Sequence, residues 1–222
     1  MIQPSTTRFL RSLAKNNNKT WFDKNRETYL SAKSDFENMV SAIIQNTGKF
    51  DADINELAIK NCTFRINRDI RFSKDKTPYK VNMGASFNRG GKKSIFAGYY
   101  FHLEPGGKSF CGGGLWMPSP ADLKNIRQEI DYGFDEFRNI ILNKKFISQF
   151  GELQNTSDIK LVNIPKGYDK LNVAVEYLKL KSILALKPLA DSVILSPHLL
   201  KQVTQSFEAL MPLVKFMNRS LE

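Results

Sequence analysis

The apolar positions of the chain repeat first with a helical period, then with a period of two, then with a helical period again. Near the N-terminus Ser5 or Thr6 is placed to cap a short helix carrying Phe9, Leu10 and Leu13. Asn16, Asn17 and Asn18 end it, because asparagine side chains compete with the helix backbone and favour turns. Thr20 followed by Asp23 resembles a capping box. It predicts one long helix with Phe22, Tyr29, Phe36, Val40 and Ile43 on a single stripe, closed near Thr47-Gly48.

The middle of the chain changes period. Met83, Ala85 and Phe87 alternate with polar or small residues, and Tyr99, Phe101 and Leu103 alternate with Tyr100, His102 and Glu104. Phe110 to Trp116 reads as extended and rich in glycine. With turns at Gly90-Gly91 and Gly106-Gly107, this predicts an antiparallel meander over residues 82–116. Cys62 to Ile66 is a candidate for a further strand.

Beyond Pro118 the helical period returns. Ser119-Pro120 opens a helix on Leu123, Ile126 and Ile130, and Asp135 to Leu142 forms another. Residues 151–171 look irregular, Asn172 to Leu178 helical, and Lys181 to Leu186 a last strand. Ser196-Pro197 opens a final helix on Leu199, Val203, Phe207, Leu210, Val214 and Met217, with a kink expected at Pro212, which cannot donate to the helix ladder. No repeat, low-complexity run or linker interrupts the pattern. The reading is therefore α+β: one domain over residues 1–222, an antiparallel sheet with helices packed around it.

Composition changes this picture little. Hydrophobic residues make up 41% and charged residues 25% of 222 residues, which suits a globular core. Two cysteines, Cys62 and Cys111, are too few for a disulfide-built secreted domain and read as buried thiols. The first residues lack a basic stretch followed by an apolar run, and no apolar stretch approaches the ~20 residues of a membrane span. The expected compartment is the cytoplasm, with no membrane partner.

Charge changes it more. The formal net charge is +11, and residues 60–93 hold ten basic side chains against Asp69 and Asp75, a local net of +8. Such a field attracts phosphates, carboxylates or nucleic acid. Several familiar chemistries drop out. Gly107-Lys108-Ser109 ends like a phosphate-binding loop, but His102 stands where its first glycine is required. Ser73 to Lys76 matches S-x-x-K only in a loop beside Pro78. His102, Cys62 and Cys111 lack a fourth ligand, so no metal site is expected.

The informative stretch is Arg65 to Lys80. Arg65, Arg68 and Arg71 recur every third residue and would line one side of a helix or 3₁₀-like turn, with Ile66, Ile70 and Phe72 as anchors. The arginine forks match carboxylate or phosphate, Lys74, Lys76 and Lys80 add point charges, and Asp69 and Asp75 are internal counter-ions. Tyr79 follows Thr77-Pro78, a fixed extended turn. If the segment folds over the strand face of Tyr100, His102 and Glu104, it makes a basic pocket. His102 and Glu104 on its floor would be a candidate acid–base pair, and Trp116 stands beyond the glycine strand. The bland alternative is a buried ion-pair network with no ligand.

The run R-x-x-R-D-x-R-F-S-K-D-K-x-P-Y-K, together with Phe9-Leu10, Trp21-Phe22, Gly98 to Pro105, Gly112 to Pro118, Leu180-Lys181-Ser182 and Pro212-Leu213-Val214, resembles the bacterial family catalogued as domain of unknown function 2461. That resemblance covers nearly the whole chain and implies no activity. From the residues, the first functional reading is a small anionic ligand, with or without turnover. The second is nucleic acid, with Phe64, Phe72, Tyr79 and Phe87 as stacking surfaces. No cofactor is indicated by either.

Overall fold

The period-two segments form a four-stranded antiparallel sheet in the order β1 (Met83–Asn88), β2 (Gly98–Leu103), β3 (Ser109–Leu115) and β4 (Ile183–Leu189). Ten helices accompany it: α1 (Pro4–Lys15), α2 (Lys19–Lys24), α3 (Arg26–Thr47), α4 (Ile59–Cys62), α5 (Pro120–Tyr132), α6 (Phe134–Ile141), α7 (Lys144–Phe150), α8 (Val175–Leu178), α9 (Asp191–Ile194) and α10 (Leu199–Arg219). The α+β reading therefore holds. The computed structural model describes residues 1–222 and resolves into two compact units. Met1–Lys92, Tyr100–Cys111 and Pro188–Thr204 form the first; Lys93–Tyr99, Gly112–Lys187 and Gln205–Glu222 form the second.

In the first unit the N-terminal helix is closed differently from the sequence expectation. Pro4 occupies its first turn, where a missing N–H is harmless. Asp35 from α3 accepts from the Gln3 N–H at 2.9 Å and from the Thr6 hydroxyl at 2.6 Å. Neither Ser5 nor Thr6 is the cap. The long second helix is also two helices. Asn18, not Thr20, caps α2 by accepting from the Trp21 N–H, and the backbone leaves helical values at Asn25 (φ −109°, ψ 21°). The stripe of α3 is still buried through Phe36, Val40 and Ile43, and Phe36 stacks on Phe101 of β2 at 5.9 Å. Cys62 to Ile66 is not a strand. Cys62 ends α4, with the Thr63 N–H bonded to Ile59 O, and Thr63 makes only a single bridge to Ala85 of β1.

In the second unit Ser119 caps α5 as its position predicts, and Tyr99 of β2 stacks on Phe207 of α10 at 4.9 Å. Phe137 of α6 meets Phe216 of α10 at 5.6 Å. Residues 151–171 are irregular as expected, and the helix Lys144–Phe150 that precedes them was not anticipated. Pro212 lies within α10, which runs on to Arg219. The buried Asn218 side chain pairs with the Ala97 backbone, accepting its N–H at 2.8 Å and donating to its carbonyl at 3.3 Å. No helix is long and apolar enough to cross a membrane.

The glycines of β3 serve the sheet itself. Gly112, Gly113 and Gly114 have φ of 152°, 153° and 122°, so their missing side chains would point along the sheet and not out of it. A Cβ would stand 2.0 Å from Ala185 O at Gly112, 2.1 Å from Gly98 O at Gly113 and 2.0 Å from Ile183 O at Gly114. The close approach is thus made by neighbouring strands. Gly113→Ala combines a clash with backbone and a conformation reserved for glycine, and should cost on the order of 3 kcal/mol or more. Gly107→Ala, in a turn with open space around it (φ 75°), should cost about 1 kcal/mol. Chemical denaturation of both variants checks the contrast; equal losses would contradict it.

Candidate functional site

The arginine-rich segment is an extended ribbon, not a helix or 3₁₀ turn. Its root pairs with β1 through the Phe64 N–H and Gly84 O at 3.1 Å. It then folds back on itself, with the Lys80 N–H bonded to Ile66 O at 2.8 Å and the Arg68 N–H to Pro78 O at 2.9 Å. Thr77-Pro78 favours this form, because the residue before proline avoids helical backbone. The side-chain carbonyl of Asn17 accepts from the Tyr79 N–H at 3.1 Å, and its amide donates to the Tyr79 carbonyl at 2.9 Å. The Tyr79 ring is 6% exposed and stacks on Phe22 at 3.9 Å and 14°. Tyr79, expected to touch ligand, is instead the anchor of the ribbon.

Of the three expected anchors only Ile66 is buried; Ile70 is partly exposed, and Phe72 is 96% exposed at the ribbon tip. The extended path explains this. Neighbouring side chains point to opposite sides, so a three-residue repeat cannot lie on one face. Arg68 is bonded to Asp75 and to the Thr77 hydroxyl, and Arg71 forks onto Asp69 at 2.7 and 3.0 Å. Lys76 donates to Ile70 O at 3.0 Å, and Lys74 is exposed. Asp69 and Asp75 thus engage Arg71 and Arg68 within the ribbon.

The root of the ribbon is arranged differently. Lys60 and Arg65 line a cleft of about 240 Å³ with Lys33, Glu37, Tyr29 and Phe64 at its walls and Phe36, Ile66 and Met83 among its apolar residues. Lys80 sits with its ammonium 5.5 Å from the centre of the Phe64 ring, and Lys92 lies 5.8 Å from the same ring. Lys92 is occupied, since it donates to the carbonyls of Lys60 and Thr63 at 2.6 and 2.5 Å. Burial, and then the nearby Arg65 guanidinium, push the Lys80 ammonium below its ordinary pKa. No carboxylate bonds to Lys60, Arg65 or Lys80; the one acid of the cleft, Glu37, lies 3.6 Å from Lys33.

Tyr100, His102 and Glu104 form a hydrogen-bonded file along β2. His102 Nε2 lies 3.2 Å from Glu104, and Nδ1 lies 3.4 Å from the Tyr100 hydroxyl. Burial lowers the His102 pKa against the opposing pull of Glu104, so the ring is neutral at pH 7. With Nε2–H donating to Glu104, Nδ1 accepts from Tyr100, whose own pKa burial raises. The His102 ring stacks on Phe110 at 4.6 Å, and Lys108 reaches Glu104 at 3.2 Å. The file is placed by Gly84, where a Cβ would fall 2.4 Å from the Tyr100 hydroxyl oxygen.

Neither His102 nor Glu104 lines this cleft. The file meets the ribbon only through Phe64, whose ring stands edge-on to Tyr100 at 6.3 Å. Trp116, at the end of β3 in the second unit, is 64% exposed. Sequence reasoning missed Tyr29, Lys33, Glu37, Thr63, Asn82 and Met83 as cleft residues; on α3 the signal was a polar pair, Lys33 and Glu37, flanking the buried stripe. No group of His, Cys, Asp and Glu is arranged to hold a metal ion.

The pairing inside the ribbon has a pH signature. The Arg68 hydrogen bond, followed by those from the Thr77 N–H and hydroxyl, holds the Asp75 carboxyl at about 2, below its ordinary 3.8. A depressed carboxylate stabilises its surroundings above the ordinary range and loses that effect as pH falls through its own value. The tip should therefore loosen from about pH 4 downward. A carbon-detected NMR titration should place Asp75 near 2, and Arg68→Ala should move it up towards 3.8. An unchanged midpoint in the variant would contradict the pairing.

Comparison with known proteins adds the family and nothing about activity. No curated protein and no solved structure matches the chain. The model of the conserved hypothetical proteins called DUF2461 matches residues 5–216, through the arginine ribbon, the sheet and the last helix, and the chain belongs to that family.

Proposed function

We propose that this protein binds a small anionic ligand in the cleft between α3 and the root of the arginine-rich ribbon. The observation that carries the reading is the grouping of Lys60, Arg65 and Lys80 around Phe64 with no carboxylate bonded to any of them. Fixed cations that crowd one another are relieved by an anion, and a guanidinium recognises carboxylate or phosphate through two parallel hydrogen bonds. Arg68 and Arg71, by contrast, already have acids of their own. Catalysis is no part of this reading, because His102 and Glu104 stand outside the cleft.

A second reading, nucleic acid, is favoured by Phe72, 96% exposed at the tip with the Arg71 guanidinium 5.8 Å from its ring centre. Of the other expected stacking residues, Tyr79 and Phe87 are buried, which weakens it, and Phe64 is exposed.

One set of titrations separates the two. Pyrophosphate at about a hundred times its dissociation constant should add roughly 2.7 kcal/mol of stability. For a chain of this length that raises the melting midpoint by about 5–10 °C. Arg65→Ala should weaken binding at least tenfold while leaving the ligand-free midpoint nearly unchanged, because Arg65 is exposed. No shift with pyrophosphate would remove the cleft reading. A single-stranded oligonucleotide whose affinity falls steeply between about 50 and 200 mM salt, and is lost in Phe72→Ala, would move the function to the tip.

A further inference from the structure

We propose that the cleft takes a small acid with an apolar body, a single aromatic ring or short acyl chain bearing one phosphate or carboxylate. This rests on the anion reading above and narrows it to a ligand class. The walls of the cleft divide by chemistry. Phe36, Ile66 and Met83 are each less than a tenth exposed and present apolar surface to it. Tyr29 and Phe64 flank them, and the Tyr29 phenol, its pKa raised chiefly by burial, stays neutral. Lys60 and Arg65 supply positive charge to the same space.

A bare phosphate would satisfy the cations and leave the apolar surface in water. An uncharged ring would cover the apolar surface and leave the cations without a partner. A ring-bearing acid does both, and each half adds affinity the other cannot supply. Size sets the upper limit. About 240 Å³ lies below the roughly 300–1,000 Å³ of pockets for drug-sized ligands, so one ring with its acid group fits and a dinucleotide does not. Glu37, which also lines the cleft and lies 3.6 Å from Lys33, disfavours a second acid on the ligand and can accept from a hydroxyl or amine.

The test compares four probes on the wild-type protein by calorimetry or NMR titration: phenyl phosphate, phenylacetate, phenol and inorganic phosphate. Phenyl phosphate or phenylacetate should bind at least tenfold more tightly than both phenol and inorganic phosphate, and the stronger of the two identifies the acid group. Tyr29→Ala should reduce that preference severalfold. Should Tyr29→Ala disturb folding, the wild-type ranking alone decides. Equal affinity for phenyl phosphate and inorganic phosphate would overturn the apolar half of the proposal and leave the anion reading standing. Phenol binding as tightly as phenyl phosphate would overturn the need for an acid. Binding of none of the four would remove this proposal and the anion reading together.

Discussion

Asn17 holds the arginine-rich ribbon in place by acting as a short piece of strand. Its carboxamide exchanges two hydrogen bonds with the Tyr79 backbone, just as a neighbouring peptide would. Two such bonds contribute about 1–3 kcal/mol together, and burying the Tyr79 ring against Phe22 adds a comparable amount. That clamp is strong relative to the ion pairs at the tip, which are exposed to solvent and screened by it. The ribbon is therefore fixed at its root by packing and backbone pairing, and only trimmed at its tip by charge. Asn218 repeats the device in the second unit on the backbone of Ala97.

Fixing the root sorts the basic residues into two kinds. At the tip, chain reversal lets Asp69 and Asp75 reach Arg71 and Arg68, so those arginines are internally neutralised. At the root, pairing with β1 sets Arg65 in the cleft beside α3 and Lys80 beside Phe64, with no carboxylate bonded to either. A backbone held this firmly at the root presents Arg65 and Lys80 from a fixed position, which lowers the ordering cost when an anion arrives.

The sheet was legible in the sequence because alternation survives burial: Tyr99, Phe101 and Leu103 point inward and are buried, as their spacing requires. The stripe of α3 was legible for the same reason. The break at Asn25 was not, because the apolar stripe continues across it and only the local backbone departs from the helix. The ribbon was misread as helical because a three-residue repeat of arginine fits one helix side, and nothing in that repeat records the pairing of residues 66–68 with 78–80. The counter-ions were legible from sequence proximity, but the cleft was not. Lys33 and Glu37 look like a solvated pair on a helix surface, and only the fold brings them into one cleft with Lys60 and Arg65. Likewise Tyr79 and Phe72 are both aromatic residues in a basic run, and their opposite fates follow from where the clamp grips.

The central claim is that Arg65 and Lys80 stand close together at the ribbon root with no carboxylate bonded to either, and the response of the Lys80 ammonium to Arg65 reports on this. Its pKa is measurable by NMR through the carbon next to the ammonium. The account predicts a value below the ordinary 10.5, moving upward when Arg65 is replaced by alanine and the neighbouring charge is removed. A Lys80 that titrates at the ordinary lysine value and does not respond to Arg65→Ala would contradict it.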